Sequence, residues 1–72
     1  MRQATQDLIV QMIEYFERVD RGTSEVHHAV LTDLLPPRGP TDRSTLKERA
    51  EEFAAKHGLT VVEAGPRWRF LK

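Results

Sequence analysis

Apolar positions along the 72-residue chain follow two different periods, and the change of period falls near its end. From Thr5 to Val19 the apolar residues are Leu8, Ile9, Met12, Ile13, Tyr15, Phe16 and Val19. That spacing fits 3.6 residues per turn and predicts an amphipathic helix. Glu14 with Arg18 and Glu17 with Arg21 are favourable i,i+4 pairs on its wet side. Gly22 is the expected stop. Thr23 and Ser24 then offer N-caps for a second helix, with Glu25 in its first turn. Val26, Val30, Leu31 and Leu34 form its apolar stripe, and Pro36 and Pro37 end it near Leu35.

Pro36 to Pro40 reads as a stiff loop that exposes Arg38. A third helix is expected to begin between Asp42 and Thr45. Asp42 is one candidate cap; Thr45 with Glu48 has capping-box spacing and is the other. Leu46, Ala50, Phe53, Ala54 and His57 share a face of this helix, and Gly58 closes it just before Leu59.

Beyond Leu59 the period drops to two. Thr60 to Glu63 is short and β-branched, Gly65-Pro66 is turn punctuation, and Arg67-Trp68-Arg69-Phe70 alternates charged with aromatic residues. Two short strands about that turn make a hairpin, which needs Trp68 and Phe70 packed on the helices to be stable. The expected fold class is therefore α+β, three helices followed by a two-stranded β-hairpin, in one domain over residues 1–72.

Composition narrows the chemistry. A domain this small buries roughly 60 % of its unfolded surface and is stable by a narrow margin. With no cysteine, disulfides and cysteine-based zinc sites are excluded. No apolar run approaches the ~20 residues that span a bilayer, and the N-terminus lacks a signal-peptide pattern, so no membrane partner and a cytoplasmic location are expected. The net charge is zero, but residues 1–36 carry three Lys/Arg against six Asp/Glu, and residues 37–72 carry eight against five. The helix-and-hairpin half is thus the basic half.

The order of elements, with Arg43-Ser44-Thr45-Leu46-Lys47-Glu48 continuing to Gly58-Leu59, resembles a winged helix-turn-helix. The stretch from Arg43 to Leu59 looks like the recognition helix of GntR-type repressors. The link from Leu35 to Asp42 is longer than that family's tight turn, and the wing is short. Ala50 to Lys72 is also similar to a small family of single-stranded nucleic-acid binders named for a spaced Arg–His pair. That pair falls here on Lys47 and Glu51, so its motif is not met.

The resemblance implies a small transcription-regulatory domain that contacts duplex DNA. Helix-start residues would enter the major groove, and hairpin residues would touch backbone or minor groove. The nucleic-acid-binding candidates are Arg38, Arg43, Ser44, Thr45, Lys47, Arg67 and Arg69, chosen because cations and hydroxyls meet phosphate. Glu48, Glu51 and Glu52 on the same helix work against this reading. The alternative is a protein-interaction module, because the apolar stripe of the first helix is wider than one small core covers. A homodimer through that helix is one form of it.

Trp68, between two arginines, is read as core with its N–H satisfied, in preference to a base-stacking platform. His27 and His28 are adjacent and diverge, and no histidine has a ligating partner at i,i+4, so no metal or other cofactor is expected. Ser24 and Ser44 sit where capping explains them, and no nucleophile–base pair or phosphate loop points to an enzyme.

Overall fold

The computed structural model describes residues 1–72. Its first helix, α1, spans Gln3–Arg18 and buries Ile9, Met12 and Phe16, the i, i+3, i+7 face expected from the sequence. No side chain within α1 caps its start. Asp33 does so from elsewhere in the chain, accepting the Arg2 N–H at 2.8 Å.

The segment after α1 differs from expectation. Thr23–His27 forms a strand, β1, not the first turns of a helix. Helix α2 is only His28–Leu34, and its N-cap is His27, whose Nδ1 accepts the Ala29 N–H at 3.1 Å. Thr23 and Ser24 are therefore strand residues, and Val26 packs into the sheet. Gly22 does not stop α1. The helix ends at Arg18, and Gly22 lies next to the Tyr15 hydroxyl, which a Cβ at this position would displace.

Helix α3 is Leu46–Lys56. Thr45 is its cap: the Thr45 hydroxyl accepts the Glu48 N–H at 3.1 Å, and Glu48 accepts the Thr45 N–H at 2.9 Å. This reciprocal capping box satisfies two donors that the first turn leaves orphaned. At the other end, Leu59 N–H donates to Ala54 C=O and Gly58 N–H to Ala55 C=O. Gly58 has φ +69°, so the helix closes in a Schellman turn that glycine adopts without strain.

Strands β2 (Thr60–Ala64) and β3 (Arg67–Leu71) form the expected hairpin. Its loop is Gly65-Pro66, with φ +64° at Gly65. A positive φ first and a proline second is the signature of a type II′ turn, whose twist suits a two-residue hairpin. The sheet, however, has three strands. The order is β1-β3-β2, all antiparallel, with β3 central. Val26 stands opposite Trp68, and Phe70 stands between Ser24 and Val61. The architecture is α+β: three helices and one three-stranded antiparallel sheet.

The core lies on one face of that sheet. Trp68 and Phe70 project into it with Val26, against Ile9, Met12 and Phe16 of α1, Leu31 of α2, and Ala50 and Ala54 of α3. Ala50 and Ala54 are one helical turn apart, so their small side chains let α3 approach the sheet closely. Phe53, on the same helix, meets the edge of Phe70 with ring centroids 6.1 Å apart. No helix is long and apolar enough to cross a membrane.

Candidate nucleic-acid interface

Four of the seven candidate residues, Arg38, Arg43, Ser44 and Thr45, lie in the link between α2 and α3. This link, Leu35 to Thr45, is held by side chains. Asp42 accepts the Arg38 N–H and the Ser44 N–H, both at 2.9 Å. Arg49 reaches back from α3: its Nε donates to Leu35 C=O at 2.9 Å, and its guanidinium also donates to Ser44 C=O at 2.6 Å. One planar, multi-donor group thus ties both ends of the link to one helix, which a point-charge lysine does not reproduce. Sequence reading passed over Arg49 because this work depends on carbonyls that only the fold brings together.

Within this frame the candidates fall into distinct roles. Ser44 and Thr45 spend their polar groups on structure, Ser44 with Asp42 and Arg49, Thr45 in the capping box. Arg38 is exposed and ion-paired with Glu52, which also meets Lys56 at 3.8 Å. Arg43 and Lys47 are exposed and make no ion pair. Arg43 precedes α3 and Lys47 lies in its first turn.

The hairpin arginines are both on β3. Arg67 and Arg69 lie on the sheet face opposite Trp68 and Phe70. Arg69 pairs with Glu25 of β1 at 3.4 Å. Arg67 stands opposite His27 and borders a groove against α1. The pairs Glu14–Arg18 and Glu17–Arg21 do not form; Glu52–Lys56 is the i,i+4 pair present.

The glutamates of α3 are not all free charge. Glu48 is committed to the capping box and Glu52 to Arg38 and Lys56, leaving Glu51 exposed. Trp68 is buried, as its alternation with arginines implies, and its Nε1–H donates to His28 Nδ1 at 3.3 Å. His57 is the exposed C-cap residue of α3, with its ring against Phe53. The His, Asp and Glu side chains do not gather into a group able to hold a metal ion.

Hydrogen bonds hold four carboxyls below their ordinary range. The Arg2 N–H does so for Asp33, the Arg38 N–H for Asp42, the Thr45 N–H for Glu48, and the Arg38 guanidinium for Glu52. Each folded value lies below the ordinary 3.8 of aspartate or 4.5 of glutamate. Their contribution is therefore complete above those values and is lost as pH falls through the lower, folded ones. Urea unfolding followed by far-UV circular dichroism is expected to show stability falling from about pH 4.5 towards about pH 2. A midpoint that does not change across that range would mean these bonds are absent in solution.

Comparison with protein-family models, with curated proteins and with solved structures finds no significant match to this chain.

Proposed function

We propose that this chain is a winged helix-turn-helix domain that binds duplex DNA through the start of α3 and the hairpin. The observation that carries the reading is the arrangement of elements. The order is α1, β1, α2, α3, β2, β3, and the sheet order β1-β3-β2 places the hairpin beside an early strand. That early strand pairs with the central strand β3 and holds the hairpin against the helices. Support from charge is local. Arg43 and Lys47 at the α3 start, and Arg67 next to the hairpin turn, are exposed and free of ion pairs. Arg38 and Arg69 are already neutralised by Glu52 and Glu25 and contribute less.

Three free cations set the expected salt dependence. Each neutralised phosphate contributes about −0.9 to the slope of log K against log salt, so the slope is roughly −3. Between about 50 and 200 mM salt the affinity then falls roughly 40-fold. Fluorescence titration of a labelled duplex at those two concentrations measures this directly. Arg43→Ala and Lys47→Ala are each expected to reduce the slope by about one. No binding at the lower salt, or variants indistinguishable from the parent, would sink the DNA reading.

The second reading, a protein-interaction module, is favoured by one specific observation. Leu8 and Val10 on α1 remain 50 % and 47 % exposed. The core leaves Leu8, at one margin of that helix's apolar stripe, uncovered, and Val10 lies apart on the wet side.

A further inference from the structure

Strand β1 is an edge of the sheet. The bonds at its two ends fix which way its backbone groups point. Lys72 N–H donates to Gly22 C=O at 3.0 Å, and His28 N–H donates to Pro66 C=O at 2.9 Å. The hydrogen-bonded pairs with β3 therefore fall at positions 22, 24, 26 and 28. By the alternation of an antiparallel ladder, the N–H and C=O groups of Thr23 and Glu25 and the N–H of His27 point away from β3, while the His27 C=O, as the N-cap carbonyl, opens α2. That edge has no proline, no lysine and no bulge; its shortness and the Glu25 charge are its guards.

A groove of about 390 Å³ runs beside it. Leu8, Met12 and Tyr15 of α1 form one wall, and Val26 and Val30 stand opposite. An unpaired main-chain edge and the half-exposed Leu8 side chain thus border one groove.

We propose that β1 pairs antiparallel with β1 of a second copy of this chain, about a two-fold axis at Val26. Three registers join the outward-pointing residues. An axis at Glu25 sets two carboxylates directly opposite, which is unfavourable. An axis at Ser24 sets Glu25 against threonine and leaves His27 beyond the partner strand. An axis at Val26 sets Glu25 opposite His27 of the other copy, twice, with Val26 against Val26 between them. In that register alone Val26 meets Val26, and Glu25, whose Oε2 pairs with Arg69 of its own sheet, turns its other carboxylate oxygen to His27 of the second copy. His27 suits the role, because its Nδ1 already accepts from Ala29 and its proton is therefore on Nε2, free to donate to a carboxylate. The axis is perpendicular to the sheet, so both helical layers lie on the same side and the two α1 helices meet over the joined strands. Their exposed Leu8 side chains are covered there.

Sedimentation equilibrium of the full chain tests this without DNA, so its outcome is independent of the nucleic-acid reading. The mass is expected to rise from 8.3 kDa towards twice that value between about 1 µM and about 1 mM. The chain has no cysteine, so Val26→Cys introduces a single thiol, and its circular dichroism spectrum checks that the fold survives this core change. A non-hydrogen-bonded antiparallel pair has the Cα spacing of a disulfide, and mild oxidation should yield covalent dimer. Val62→Cys, exposed on β2 at the far edge, should not. Leu8→Glu changes an exposed residue, keeps the circular dichroism spectrum, and should weaken association by roughly tenfold or more. A mass of 8.3 kDa throughout, crosslinking at position 62 in place of 26, or association indifferent to Leu8→Glu would each overturn the proposal.

Discussion

Phe70→Ala is expected to destabilise the domain by about 3–5 kcal/mol. Phe70 has no exposed surface and sits on the central strand, paired on both sides. Both neighbouring strands hydrogen-bond to β3, so neither backbone can slide in to fill the space. The helix above it is held at the sheet by Ala50, Ala54 and Phe53, and the edge-on contact of Phe53 would lose its partner. The cavity therefore stays open, which is the costly case. A chain of this length has roughly 4 to 11 kcal/mol in total. The variant should be largely unfolded or close to it at 37 °C, read as a collapsed urea midpoint in far-UV circular dichroism. A loss under about 1 kcal/mol would show that the core closes around the gap.

Leu31→Ala should follow at about 3 kcal/mol, and its effect is concentrated in one element. Helix α2 has seven residues, and Leu31 is its only fully buried one. A helix that short does not persist on propensity; it exists because its apolar side is docked. Removing the anchor leaves Val30 and Leu34, both partly exposed, to hold it. Amide exchange is the measurement of choice. Protection in α2 should drop much more than protection in α1, and Asp33, which caps α1 from this helix, should release the Arg2 N–H. Equal loss of protection in both helices would mean that α2 opens only with the whole domain.

Local signals carried the elements that the sequence made legible. The α1 stripe, the Thr45–Glu48 capping box, the Gly58–Leu59 closure and the Gly65-Pro66 turn all act over four or five residues. The alternation at Arg67 to Phe70 placed Trp68 in the core for the same reason. Strand β1 was not legible because its stabilisation is non-local. Thr23 and Ser24 are good caps in isolation, and Val26 lies four residues before Val30, which completes a helical stripe on paper. What decides the matter is Val26 meeting Trp68, 42 positions later, and Glu25 meeting Arg69. Gly22 misled similarly: it looks like a helix stop, yet its reason is the ring of Tyr15.

The candidate interface divides along the same line. The exposure of Arg43 and Lys47 follows from their position before and in the first turn of a capped helix. The neutralisation of Arg38 by Glu52 and of Arg69 by Glu25 joins residues 14 and 44 apart, and no spacing rule announces it. Nor does sequence reveal that Arg49, in the middle of α3, is the residue that fixes the link before it.

The bond from the Trp68 indole to His28 makes the protein's one tryptophan a local witness. Its donor is committed to the first residue of α2, so the emission follows the joint between sheet and helix before it follows the fold as a whole.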